Sequence, residues 1–388
     1  MVDDTQQTIR ASARKLLKKE LLPHLEKLED QGEFAKIALK KLGQAGMAAP
    51  MLPEPYGSGD LIAQTLIAEE MGYASSSFGL SVLASVCLFG ANVGRQGTDE
   101  QKKKYLPGIA SGEKIGCWAL TEPEVGSDAL SVKSRSRKEG DHYIIQGSKT
   151  FITNAPIADY FIVITREYDE DQAPIQGFSG GTAFILERGM PGLTTGAPFK
   201  KMGHLSSPTG EIFLENVKVH ESQVLGQPRK AFFGMKDSLD VERAIFSALG
   251  VGIMQFCLDT VVQYCSTRMQ FGAPLKDHQL IQVKISQIAS WTDVIRSYMM
   301  ETVRKIEAGQ SATKEASILK LLTAQKVFET ASEAVQALGG YGYMREYGVE
   351  RCLRDAKLFD IGGGTSEIQK LSLAKHVIRE ILENGNAP

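Results

Sequence analysis

The segment Asp360-Ile361-Gly362-Gly363-Gly364-Thr365-Ser366-Glu367-Ile368-Gln369 sets three glycines before a predicted helix start. Glycine permits positive φ and lets a ligand approach the backbone closely. Ser366, with Gln369 three residues later, fits a capping box. The unpaired N–H groups of a first helical turn can face an anion or a carbonyl oxygen. Read alone, the segment fits a glycine-rich turn before a C-terminal helix as well as a phosphate-binding loop. Glu242 is a second chemical feature. It follows Val241 and precedes Ala244-Ile245-Phe246, so a helix there would partly desolvate its carboxylate and raise its pKa. The competing reading is an ordinary surface glutamate on a helix.

The elements that position these groups follow from periodicity. Residues 5 to about 115 read as helices, with Ile9, Ala13, Leu16 and Leu17, then Ile37, Leu39, Leu42 and Ala45, at helical spacing. Pro50, Pro53, Pro55, Gly57 and Gly59 break that pattern in one loop. A long apolar helix is predicted over Leu61 to Gly94, with an interruption near Ser75-Ser76-Ser77. From Cys117 to about Val224 the signal changes to strands at 142–147, 160–165 and 182–186. The gaps leave no room for helical crossovers, so the sheet is expected to be antiparallel or a barrel. From about Phe232 long amphipathic helices return. The fold class is α+β: an N-terminal helical domain (1–115), a central antiparallel β-barrel or sheet domain (116–225) and a C-terminal helical bundle (226–388).

Composition narrows the function. At 43% hydrophobic and 23% charged residues the chain has the make-up of a soluble globular protein. A net charge of −2 gives no reason to expect a nucleic-acid partner. No uninterrupted apolar run reaches the ~20 residues of a membrane span, and the opening Met1-Val2-Asp3-Asp4 lacks the apolar stretch of a secretory signal. The five cysteines are dispersed and odd in number, which argues for reduced thiols in a cytoplasmic protein. The histidines show no metal-ligand spacing, so no metal is expected. No G-x-G-x-x-G follows a strand, so a Rossmann dinucleotide site is not expected.

Five motifs, in order, resemble those of acyl-CoA dehydrogenases. They are Thr121-Glu122-Pro123-Glu124-Val125-Gly126-Ser127-Asp128; Phe151-Ile152-Thr153-Asn154; Arg268-Met269-Gln270-Phe271-Gly272 with His278-Gln279; Gln336-Ala337-Leu338-Gly339-Gly340-Tyr341-Gly342; and Arg354-Asp355-Ala356-Lys357 leading to Gly364-Thr365-Ser366-Glu367-Ile368. The resemblance covers nearly the whole chain. It implies the helical, β, helical fold and an FAD cofactor. Trp118, Leu120, Thr121, Gly126, Ser127, Phe151 and Thr153 would surround the flavin ring and its ribityl and phosphate groups. Phe151 stands where many relatives have tryptophan, which keeps an aromatic wall and loses an indole donor. Arg268, Phe271 and Gln279 would serve the pyrophosphate and adenosine of a neighbouring subunit's cofactor, with Gln336, Gly340, Thr365 and Glu367 completing that end. A guanidinium suits a pyrophosphate because it donates in a fork. A homotetramer, built as a dimer of dimers, follows from the same resemblance.

The implied reaction is α,β-dehydrogenation of an acyl-CoA thioester. A carboxylate takes the α-proton while hydride leaves the β-carbon for flavin N5. Many members place that carboxylate immediately before the G-T-S segment, and here the position is Gly363. Leu239-Asp240-Val241-Glu242-Arg243 resembles the L-D-x-E-R segment of the isovaleryl-CoA and long-chain branch, which carries its base on this helix. The resemblance therefore implies Glu242 as base and Gly363 as donor of a backbone N–H to the thioester oxygen. Arg243 is expected either to help hold substrate or to form a structural ion pair. The pocket floor would include Gly79, Leu80, Val82, Leu83, Val86 and Cys87, with Ser127, Leu80 and Leu83 among the substrate contacts. That stretch has no arginine to meet a second carboxylate, so an apolar acyl group is expected. Electrons would pass to an electron-transfer flavoprotein. A flavin oxidase, or a catalytically silent FAD-binding scaffold, are the competing readings.

Overall fold

The computed structural model describes residues 4–169 and 173–383. The N-terminal part holds α1 (Asp4–Glu20), α2 (Leu25–Gln31), α3 (Lys36–Gln44), α4 (Leu61–Leu83), α5 (Ala91–Gln96) and α6 (Asp99–Ala110). The long apolar stretch departs from α-geometry in two places. Ser75 is non-helical, at φ −163° and ψ 110°, and its hydroxyl accepts from Phe78 N–H, capping the second half of α4. Residues Ala84–Gly90 then form a π-helical segment, a distortion common beside functional sites.

The central part holds β1 (Gly116–Ala119), β2 (Arg135–Glu139), β3 (His142–Thr153), β4 (Tyr160–Glu167), β5 (Gly181–Glu187), β6 (Leu193–Thr195), β7 (Thr209–His220) and β8 (Val224–Leu225). The sheet runs β6-β7-β3-β2-β4-β5-β8, with β1 also on β4. Most neighbours are antiparallel, and β1–β4 and β2–β4 are parallel. No helix is needed for those two pairs, because the β2–β3 hairpin itself makes the crossover. β4 and β5 are buried on both faces. Phe161, Val163, Phe184 and Leu186 fill the sheet's own core, while Ile162, Ile164, Ala183 and Ile185 join the helical core. That double burial explains why these strands read as continuous apolar runs.

The C-terminal part holds α7 (Ala231–Thr267), a hairpin of β9 (Met269–Gln270) and β10 (Ala273–Pro274), α8 (Gln279–Glu307), α9 (Thr313–Leu338), α10 (Val349–Ala356) and α11 (Ser366–Glu383). α4 and α7 cross backbone to backbone. A Cβ at Gly72 would lie 2.2 Å from Leu249 O, and one at Gly252 would lie 2.1 Å from Glu69 O. Only glycine allows this approach, which brings α4 against the helix of Glu242. Two helical stretches, Leu61–Gln96 and Ala231–Thr267, are long and apolar enough to cross a membrane, yet 78% and 67% of their most apolar windows are buried within the protein. They are core helices by that measure. All five cysteines are free and buried.

Candidate active site

Two groups of the predicted residues meet on a frame of buried polar contacts. The first lies where β1 leaves the sheet beside the end of β3. Thr150 N–H donates to Thr121 O at 2.9 Å, and Lys149 Nζ donates to Leu120 O at 3.1 Å. This sets half-buried Trp118, Leu120 and Thr121 next to Phe151 and Thr153. Phe151 sits at φ 57° and is 68% exposed, so the end of β3 presents aromatic surface beside Phe199, whose ring centroid lies 5.6 Å away. Gly126 and Ser127 are also exposed, and a Cβ at Gly126 would meet nothing within 4 Å. Aromatic surface, hydroxyls and open backbone in one place fit a flavin ring and its phosphate arm.

Three residues outside the predicted set hold this loop. Glu122 is buried and accepts from Lys149 Nζ (2.7 Å), Lys133 N–H (2.6 Å) and Ser134 N–H (2.9 Å). Burial alone would raise the Glu122 pKa, but Lys149 and those donors bring it below the usual range. Burial takes the Lys149 ammonium down to about 8 against the pull of Glu122. Asn154, at φ 70°, donates to Ser81 O (2.8 Å) and Gly116 O (3.1 Å), stapling β3 to α4 and β1. The motif residues Glu122 and Asn154 were visible in the sequence, but nothing local marked them as braces.

The second group joins α7, α4 and the glycine loop. Gly363 has φ 66°, and a Cβ built there would lie 3.7 Å from Glu242 Oε1. The Glu242 residue keeps some exposed surface, yet its carboxylate is crowded by its neighbours. Desolvation raises its pKa from 4.5 to about 7, against the opposing pull of Arg243 and Lys320. Burial, and after it the Glu242 carboxylate, push up the Cys87 thiol on the π-helical segment. Leu83 is buried and Leu80 half-buried along the same helix.

Arg243 is buried and already engaged. Nη1 pairs with Asp240 Oδ1 at 3.1 Å, and Nε makes a long hydrogen bond to Gly363 O at 3.4 Å. Asp240 Oδ2 accepts from Thr313 Oγ1 at 2.6 Å. Arg243 thus ties the glycine loop to α7. Gln369 Nε2 holds the same loop from α11, donating to Gly363 O and Gly364 O at 3.3 Å each. The helix cap lies one residue before its expected place. Thr365 Oγ1 accepts from Ile368 N–H, because the Ser366 hydroxyl donates to Asp360 Oδ1 at 2.8 Å and Gln369 is turned to the glycine carbonyls. Glu367 is exposed in the first turn.

Arg268, Phe271, Gln279, Gln336 and Gly340 lie elsewhere, all exposed. Arg268 ends α7 beside Tyr264, which packs on Tyr341 at 6.1 Å. Phe271, at φ 49° and 96% exposed, tips the β9–β10 hairpin. Glu242 lies in the first third of α7 and Arg268 just past its C-terminal end, about 39 Å apart at 1.5 Å per residue.

Three family models match the chain in order: the N-terminal (residues 3–113), middle (117–217) and C-terminal (234–378) domains of acyl-CoA dehydrogenase. The mitochondrial isovaleryl-CoA dehydrogenase of Solanum tuberosum is 36% identical over 384 residues, covering 98% of this chain and 92% of its own. The structure of butyryl-CoA dehydrogenase from Megasphaera elsdenii superposes with a TM-score of 0.93 at 33% identity, over 97% of this chain and 99% of that one. A chain in the solved structure of the electron transferring flavoprotein of Acidaminococcus fermentans superposes with a TM-score of 0.93 at 32% identity, over 98% and 99% of the two chains. The chain belongs to the acyl-CoA dehydrogenase family and is an FAD-dependent oxidoreductase acting on acyl-CoA.

Proposed function

We propose that the reaction is α,β-dehydrogenation of an apolar acyl-CoA to its enoyl-CoA, with Glu242 as the α-proton base. The observation that carries this reading is the 3.7 Å approach of Glu242 Oε1 to the Cβ position of Gly363. Substrate held between α4 and the glycine loop would present its α-carbon to that carboxylate. The Gly363 N–H would donate to the thioester oxygen and polarise the carbonyl, which acidifies the α-proton. Leu80 and Leu83 would wall the acyl chain, and Ser127 would lie at the flavin side. Arg243 would position the glycine loop through its contacts with Asp240 and the Gly363 carbonyl. Trp118, Leu120, Thr121, Gly126, Ser127, Phe151 and Thr153 would hold FAD, which when bound would supply the two-electron acceptor for the β-hydride. Flavin bleaching against a panel of straight, branched and cyclic acyl-CoAs tests the reading; no bleaching with any of them would reject it.

A base whose pKa is raised works in its deprotonated form, so activity should climb through the value near 7. The rate of anaerobic flavin reduction is expected to rise about tenfold between pH 6 and pH 8, following a single ionisation. A flat profile would remove Glu242 from the role.

The adenosine end of the cofactor would be completed by Arg268, Phe271, Gln279, Gln336 and Gly340 of a second copy, with Thr365 and Glu367 of the first. The ~39 Å between Glu242 and Arg268 along α7 supports this division between two copies, because it sets Arg268 far from the flavin end of the same chain's site. Exposed Phe271, Leu280, Val283 and Val294 give the hairpin and α8 an apolar face suited to association. We propose a homotetramer in which pairs of subunits complete each other's sites. Arg268→Ala should lower FAD retention on dilution by at least about tenfold, reflecting one lost charge-assisted contact. A monomer carrying one FAD in sedimentation would contradict the arrangement. We further propose an electron-transfer flavoprotein as acceptor, a cytoplasmic location in keeping with five free thiols, and domains at 1–115, 116–225 and 226–388.

A further inference from the structure

We infer that Lys320 is a positioning residue for Glu242: its ammonium, buried where α7, α9 and α11 meet, keeps the carboxylate ionised and held opposite Gly363. The inference rests on the reading of Glu242 as base. Lys320 is 2% exposed, and its Nζ has no hydrogen-bond partner among the described residues. A buried ammonium without compensation is costly, so its surroundings must supply negative charge.

The helix register says where that charge is. Thr313 on α9 donates to Asp240 on α7. Ten residues further along each helix, Thr323 Cγ2 lies 2.4 Å from the Cβ position of Gly250. The two helices therefore run side by side in constant register, with Lys320 level with Ser247. Side chains on a helix lean toward its N-terminus. A lysine stem spans about one turn, roughly 5 Å, which carries the ammonium back to the level of Arg243 and Glu242.

The charged groups around the pair are few. Glu242 is faced by Arg243 from its own helix, by Lys320 from α9 and by the Cys87 thiol from the π-helical segment. Lys320 is faced by Asp360, Arg243, Glu242 and Glu367. Asp360 is engaged with Lys357 at 3.0 Å and with Ser366, and Glu367 is exposed. Arg243 is engaged with Asp240 and the Gly363 carbonyl. Among these groups Lys320 is the cation without a hydrogen-bonded partner, and Glu242 is the crowded carboxylate it can serve. Burial brings Lys320 down to about 8 and Glu242 up to about 7, so both carry charge between those values. Gln369 supports the same junction. It is buried, holds the Gly363 and Gly364 carbonyls through Nε2, and keeps Oε1 free of a partner among the described residues.

The test uses the FAD-loaded enzyme with Lys320→Met, Lys320→Arg and Glu242→Gln. Two pH titrations are recorded: anaerobic single-turnover flavin reduction by isovaleryl-CoA, and the infrared band of the protonated Glu242 carboxyl without substrate, assigned by its loss in Glu242→Gln. Lys320→Met should raise both midpoints by about one pH unit, since it removes an opposite charge. Reduction at pH 6 should then fall about tenfold, while the plateau at high pH stays within about threefold. Lys320→Arg should restore the midpoint. An unshifted infrared midpoint in Lys320→Met would overturn the proposal. Should that variant fail to fold, Lys320→Gln, polar but uncharged, decides on the same criterion. Full turnover by Glu242→Gln would instead defeat the base assignment itself. An inactive Glu242→Gln beside an unshifted Lys320→Met would defeat the Lys320 role alone.

Discussion

Glu242→Gln is expected to retain FAD and bind acyl-CoA while its flavin reduction falls by about 10²–10⁴-fold or more, the loss associated with a positioned general base. Glutamine keeps the size of the side chain and cannot accept the α-proton as a carboxylate does. Rapid-mixing absorbance under anaerobic conditions reads the step directly, and near-normal reduction would sink the assignment. The companion experiment moves the carboxylate. Glu242→Gly with Gly363→Glu places it where many family members carry it, across the same gap of 3.7 Å. Rescue should be partial for two reasons. A misplacement of about 1 Å can cost ~10²-fold. A residue with a Cβ at φ 66° also carries roughly 1–2 kcal/mol of backbone strain. Reduction no faster than in Glu242→Gly alone, with FAD and fold intact, would mean that the two positions do not share one substrate α-carbon.

Removing the Glu122 carboxylate should produce the largest loss of stability. Lys149 is fully buried, and Glu122 is its ion-pair partner at 2.7 Å. Glu122→Ala leaves that ammonium unpaired and strips the acceptor from the Lys133 and Ser134 N–H groups. Breaking one side of a buried pair typically costs about 3–5 kcal/mol. The damage falls on the loop that aligns Trp118, Leu120 and Thr121 with Phe151, so FAD retention should weaken as well. Denaturant unfolding of the variant, alone and with Lys149→Met added, separates the terms. The double variant should recover part of the loss, because an apolar replacement of both partners removes the unpaired charge. A loss under about 1 kcal/mol in Glu122→Ala would show that the pair is not what holds the loop.

Much of the architecture was readable locally. The β-branched and aromatic runs at 142–147, 160–165 and 182–186 lie within β3, β4 and β5, and the serines at 75–77 mark the break in α4. Strand and turn preferences act over a few residues, so a sequence displays them. The parallel β1–β4 and β2–β4 pairs were not readable in this way. Pairing joins segments far apart in the chain, and a hairpin made the crossover where the gaps leave no room for a helix.

The site divides along the same line. By itself, the sequence determined the chemical inventory: a carboxylate in an apolar helix, a glycine where many relatives have that carboxylate, and aromatic and hydroxyl groups in family order. These are properties of residue type and spacing, and they survive without coordinates. Tertiary structure alone decided which groups meet. Arg243 and Gly363 are 120 positions apart and become hydrogen-bonded partners only when α7 packs beneath the glycine loop. That contact makes Arg243 a brace for the glycine loop. Glu122 and Lys149 likewise read as ordinary charged residues until the sheet buries both. The physical reason is common to these cases: desolvation and pairing depend on what surrounds a group in space, and a linear chain carries that information only through the packing of its core.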